Sequence, residues 1–192
     1  MKKFLGVVVF LGLFSALMMG QDFPKAEVFG GYQYLHTGTI RINGEDLPDS
    51  SMGFNGWNTS LTGNFSKHLG LAIDFGGGYT TQDSVSTHLY TYAGGPVLQL
   101  DAGGKINPFV HALFGGIHLS GSEGGVSISE NGFTMIFGGG VDARVNKAIS
   151  IRVVQADWLY YHFGSDTVES VTIPSFSQSN NVRVSTGIVI TF

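Results

Sequence analysis

The chain has 192 residues, with 10 basic against 14 acidic side chains, no cysteine and 29 glycines. That length suits one domain rather than two, and the acidic balance argues against a nucleic-acid partner. Without cysteine there is neither a disulfide staple nor a lipid-modified lipoprotein amino terminus, and glycine at about twice its usual share disfavours helix and favours tight turns or crowded sheet.

Residues 1–20, MKKFLGVVVFLGLFSALMMG, place two lysines before an apolar run that ends in small and flexible residues. This is the pattern of a secretory signal peptide. The run is short for a spanning helix and no stop-transfer pattern follows, so cleavage near Gly20 is expected in preference to an uncleaved anchor. The mature domain is then 21–192, and losing Lys2 and Lys3 leaves 8 basic against 14 acidic groups, a net charge of −6.

Beyond Gly20 no window has a sustained apolar spacing of three and four. Period-two alternation recurs instead, in eight segments of roughly ten to thirteen residues bounded by glycine, asparagine, aspartate or serine. The first is 26–36. In the second, 56–65, Trp57, Leu61 and Phe65 oppose Asn58, Ser60 and Asn64; in the third, 69–79, Leu71, Ile73 and Phe75 oppose Ala72, Asp74 and Gly76. The fourth and fifth, 88–100 and 109–119, alternate less tidily. The sixth, 133–145, sets Phe133, Met135, Phe137 and Val141 against Thr134, Asp142 and Arg144. In the seventh, 148–162, the parity slips between Arg152 and the pair Gln155 and Asp157, and a bulge near Val153 and Val154 would return all three to one face. The eighth closes the chain, with Val182, Val184, Ile188, Ile190 and Phe192 against Asn181, Arg183 and Ser185.

Connections at 66–68, 101–107 and 146–147 are short, and those at 37–55, 81–87, 120–130 and 164–179 are mostly longer and richer in acid, serine and glycine. Long and short interleave, so all the long ones fall at one end of an antiparallel up-and-down meander. Alternation alone does not say which face meets which solvent, and a soluble lipocalin-like barrel would put the apolar set inside. Three features favour lipid outside: segments longer than globular strands; Asp74, Asp142, Arg144 and Arg183 on the face opposite the apolar set; and Tyr32, Tyr34, Trp57, Tyr79, Tyr90, Tyr92, Phe133, Trp158 and Tyr160 toward segment ends, as in an interfacial girdle. Unpaired backbone in lipid is costly, so the eight strands must close. The fold class expected is an all-β, eight-stranded antiparallel up-and-down transmembrane β-barrel.

The stretches AEVFGGYQYLH, NGWNTSLTGNFSKHLGLAIDFGGGY, PFVHALFGGIHLSG, FGGGVDARVNKAISIRVVQADWLYYHFG and the terminal VRVSTGIVITF resemble the small eight-stranded outer-membrane barrel proteins, the family of the OmpA transmembrane domain and opacity-type porins. The resemblance implies residence in the bacterial outer membrane with its lipid as surroundings. It also implies a terminal-strand signal, matched by Ile188, Ile190 and Phe192, that the barrel-assembly machinery reads. No carboxy-terminal peptidoglycan-binding domain follows here, so a cell-wall tether is not implied.

An eight-stranded lumen is just wide enough to be filled by side chains. By parity Glu27, Asp74, Asp142, Arg144, Arg152, Asp157 and Arg183 face it, and four acids against three bases suit a plug of ion pairs better than a channel. His118 and Ser120, with Glu123 nearby, faintly resemble the His-x-Ser of outer-membrane lipid A deacylases, whose chemistry needs a histidine base steadied by a carboxylate. Two matching residues leave His118 more simply a polar residue at a strand end. His111 reads as a satisfied lumen histidine rather than a ligand, and no metal or other cofactor is expected. The long connections hold Glu45, Asp46, Asp49, Glu123, Glu130, Asp166 and Glu169 against Arg41, which suits exposed loops but names no extracellular ligand. The role expected is structural or surface-interactive and not enzymatic, with a narrow pore, a lipid-modifying hydrolase and a soluble binding barrel as the alternatives.

Overall fold

The computed structural model describes residues 25–192 apart from 43–44, 49, 83–84, 102–103, 124–125, 169–170 and 174. The signal segment and the loop acids Asp49 and Glu169 lie outside the described residues, as do the side chains of Glu123 and Asp166. Among the described residues twelve strands run in chain order: β1 (Ala26–His36), β2 (Ile40–Ile42), β3 (Glu45–Asp46), β4 (Gly53–Asn64), β5 (Leu69–Gln82), β6 (Val85–Gln99), β7 (Ile106–Glu123), β8 (Val126–Arg144), β9 (Ile149–Phe163), β10 (Asp166–Val168), β11 (Val171–Ile173) and β12 (Phe176–Thr191).

Eight of these, β1, β4 to β9 and β12, pair antiparallel in sequence order. β12 then returns to β1, from Glu27↔Thr191 to His36↔Val182, and closes the barrel. The backbone of Phe192 fastens the seam, donating its N–H to the Ala26 carbonyl at 2.9 Å. Closure satisfies the edge groups that an open sheet would leave bare.

Alternation decides which side chains go in. Outward stand Val28, Trp57, Leu61, Leu71, Ile73, Phe75, Val110, Phe137, Ile151, Trp158, Val184, Ile188 and Ile190, all exposed. A belt of this extent is not tolerated in water. Aromatics crowd its loop-side part, where the Trp57 indole N–H donates to the Tyr79 hydroxyl at 3.1 Å and the Tyr79 and Tyr90 rings meet edge to face.

One residue breaks the parity. Val141 pairs with Val154 but Asp142 pairs with Arg152, so Val153 is extra. Both valines face outward, and Arg152, Gln155 and Asp157 all turn inward. A second irregularity lies in β12 between Gln178 and Asn181, at Asn180 with φ of 69°, a left-handed value that asparagine accepts better than most residues.

All four connections expected to be long carry strand. Two of them, 81–87 and 120–130, are mostly ladder, for β5 and β6 pair as far as Gln82↔Val85 and β7 and β8 as far as Glu123↔Val126. Alternating serines and small residues there satisfy strand geometry although their composition reads as loop. At 37–55 the chain forms β2, which continues the sheet beyond β1 by pairing with β12, and β3, where Arg41 and Asp46 make an exposed ion pair at 2.8 Å. Hydrogen bonds from Arg41 hold the Asp46 carboxyl below the usual carboxylate range. At the opposite end the turns are tight: the Asn146 side-chain oxygen accepts from the N–H groups of Ala148 and Ile149 at 2.8 and 2.9 Å.

Candidate functional site

The lumen is built from inward-pointing residues of all eight barrel strands, and it divides into two parts. The part nearer the chain ends is ionic. Arg183 on β12 crosses to β5, donating from Nη1 to Asp74 at 2.9 Å, and donates from Nε to Asp157 of neighbouring β9 at 2.8 Å. Asp157 also meets His111 Nε2 at 2.9 Å and accepts from Gln155 at 2.7 Å. The second arginine, Arg152, grips Asp142 with two bonds at 2.8 and 3.0 Å and reaches Gln155 at 2.7 Å, so Gln155 links the two clusters. Its guanidinium lies between the rings of Phe29 and Phe109, 4.3 and 4.2 Å from their centroids. This planar cation suits both the two-point carboxylate grip and the stacking.

Neutral amides complete the network. Asn58 donates to Asp74 at 2.9 Å, and Gln99 and Asn64 donate to Glu27 at 2.9 and 3.2 Å. Glycines make room for the large groups. A Cβ on Gly76 would come within 3.1 Å of Arg183 Nη1, and one on Gly138 would collide with the Asp157 carboxylate. The space left beside Glu27, Asp74, His111, Asp142 and Arg152 is about 10 Å³, roughly enough for one water.

Of the seven charged residues named from sequence parity, Glu27, Asp74, Asp142, Arg152, Asp157 and Arg183 are buried here. Arg144 is half-buried where the lumen opens at the chain-end side, beside Glu27 and Asp142. His111, Gln155, Gln99 and Asn58 join them, beyond the seven charges that parity names. Their signal was available, since each shares the inward parity of its strand.

The part nearer the loops is apolar, which differs from the polar lumen expected. Leu35, Phe54, Leu89, Ile117, Ile136, Leu159, Tyr161 and Phe163 form a buried cluster there. Above it lies a cavity of about 250 Å³, lined by Met52, Phe54, Leu89, Ile117, Phe163 and Phe176 among others. Strands with apolar residues on both faces hide this arrangement from a reading that assigns the apolar set to one side.

No protein-family model matches the chain, and no curated protein is similar to it in sequence. Solved structures are similar in shape. Neisserial surface protein A superposes with a TM-score of 0.63 at 14% identity, covering 87% of this chain and 97% of that one. Ail, the attachment invasion locus protein of Yersinia pestis, gives 0.54 at 16% identity over 88% and 99%. The outer membrane protein OprG from Pseudomonas aeruginosa gives 0.53 at 9% over 90% and 98%.

The fold is that of the small eight-stranded outer-membrane barrels. In this barrel His118 and Ser120 lie outside the lumen, on the outward face of β7. His118 Nδ1 meets the amide oxygen of Asn131 at 2.9 Å, so an amide holds the position that a hydrolase would give to a carboxylate. The terminal residues Ile188, Ile190 and Phe192 all point outward, Phe192 being 67% exposed.

Proposed function

We propose that the chain is an envelope protein of the bacterial outer membrane, exported by a signal peptide over residues 1–20 and inserted as a plugged barrel. Its role is structural or interactive: the barrel anchors the strand ends and loops that project outward from β2, β3 and the long β7–β8 hairpin. The observation that carries this reading is the pairing of an apolar exterior with a lumen in which Arg152 meets Asp142 and Arg183 meets Asp157 on neighbouring strands while Arg183 also crosses to Asp74. The barrel-assembly machinery is its partner during insertion, and Ile188, Ile190 and Phe192 are the signal that machinery reads.

The network of Glu27, Asp74, Asp142, Arg144, Arg152, Asp157 and Arg183 acts in this reading as a structural plug. We assign the protein no catalysis. Ail has been solved with the heparin analogue sucrose octasulfate, but Glu45, Asp46 and Glu130 on the projecting parts of the present chain argue against a polyanion.

The test has two readouts. Detergent-extracted protein should run at a different gel mobility unheated than boiled, and in planar bilayers it should give no reproducible conductance. Discrete steps of appreciable size would instead support a narrow pore, and full solubility in buffer would remove the membrane reading. Deleting Phe192 should slow assembly into vesicles carrying the assembly machinery while leaving spontaneous folding in detergent intact.

A further inference from the structure

Anchoring loops does not require a hollow in the barrel. Protein interiors hold few voids larger than a water molecule, and the bore of an eight-stranded barrel is ordinarily filled by side chains. The apolar cavity of about 250 Å³ at the loop side is larger than a cavity of about 150 Å³ that stays dry and takes up benzene. Its lining atoms forgo contacts that an apolar guest would restore.

The cavity has a floor and a firm wall. Its floor is the buried layer of Leu35, Ile136, Leu159 and Tyr161; on β9, Leu159 and Tyr161 lie between Phe163 at the cavity and Asp157 in the ionic plug. Its wall includes the stacked rings of Phe163 and Phe176, 4.6 Å apart. The segment after β1 is fastened over it by hydrogen bonds from the Thr37 N–H to the Met52 carbonyl at 2.8 Å, from the Ile40 N–H to Ser50 Oγ at 2.8 Å, and from Gln178 Nε2 to the Gly38 carbonyl at 3.2 Å. The polar part of the lining is Thr37, Ser50, Thr87 and Gln178, and Glu130 is the single charged group among the described lining residues.

Shape follows from register. Ile117, Leu119 and Gly121 are successive inward positions of β7 and all line the cavity, so it runs about 13 Å along that strand at about 3.3 Å per residue. The bore limits its width. We infer that the loop-side lumen is a blind binding site, entered from outside, for one slender alkyl chain with an uncharged head. An anionic head is disfavoured by Glu130. The chain can belong to a free amphiphile or to a membrane lipid bent over the rim.

Octanol is the probe, titrated into the full mature protein folded in dimyristoylphosphatidylcholine vesicles with perdeuterated chains and followed by methyl NMR. The Met52, Leu89 and Ile117 signals should shift saturably, whereas Leu71 and Ile73 on the outer face should move only in proportion to the octanol dissolved in lipid. Octanoate at a pH where it is ionised should bind at least tenfold more weakly. Leu89→Trp and Met52→Trp, each filling the cavity from a different strand, should abolish the saturable shift; at least one of them is expected to keep the heat-dependent gel mobility of a folded barrel. Absence of saturation in the wild type, or saturation that persists in a folded filled variant, overturns the inference. In vesicles with ordinary protonated chains and no octanol, contacts between Ile117 and lipid methylenes identify the lipid as the source. Saturable octanol binding without such contacts identifies a free amphiphile.

Discussion

Arg183 is 1% exposed and reaches carboxylates on two different strands, Asp157 on β9 and Asp74 on β5. Removing it leaves two buried anions short of a cation, a situation that costs about 3–5 kcal/mol. Arg183→Met should therefore lower the urea midpoint of the folded barrel sharply, while Arg183→Met combined with Asp74→Asn and Asp157→Asn should recover most of the loss. A single substitution as mild as the triple one would mean that the network does not tie the strands. Adjacent residues test facing. Val184 is 42% exposed and Ser185 1%, so Val184→Arg places a charge in the belt and should cost about 2–4 kcal/mol near the midplane. Ser185→Arg places a cation in a filled lumen beside Arg183. Its damage should be relieved by a second substitution, Arg183→Met, and that of Val184→Arg should not. At this scale parity told which way each charge points, but not which charges meet. Asp74 and Arg183 are 109 positions apart, and no local pattern joins them.

At the scale of elements, the bulge at Val153 keeps β9 in phase. Deleting Val153 would turn either Arg152 and the residues before it, or Gln155, Asp157 and those after it, from the lumen to the belt. The expected outcome is loss of the heat-modifiable form on folding in detergent, and a deletion variant that folds normally would place the phase shift elsewhere. This bulge was legible because three polar residues on mismatched parities can share a face in only a few ways. The ends of β5 to β8 were not. Serine, threonine and glycine at 81–87 and 120–130 carry the composition of turns, and only the partner strand opposite, from Thr81↔Ser86 to Glu123↔Val126, holds them extended. Strand preference depends on what lies across the ladder, so it is weakest where side chains are small.

For the whole molecule, closure is the step that makes lipid a possible solvent. At the seam Gly31 faces Gly187, and a Cβ on Gly187 would fall 2.5 Å from the Cα of Gly31. Gly187→Val should therefore hinder closure and lower the yield of heat-modifiable barrel by severalfold, whereas Thr186→Val, one position away on the outward face, should leave the yield nearly unchanged. Similar yields for the two would show that the seam has slack.

The sequence by itself determined the number of barrel strands, their antiparallel order, the outward belt and the inward direction of the charged residues, because strand alternation is local and has a fixed period of two. The tertiary structure alone decided that Arg183 bridges β12 to β5, that His111 and Gln155 both meet the Asp157 carboxylate beside it, and that the loop-side lumen is apolar and partly empty. Those features depend on which side chains meet across a closed bore, and that distance is set by the barrel's circumference rather than by any neighbouring residue.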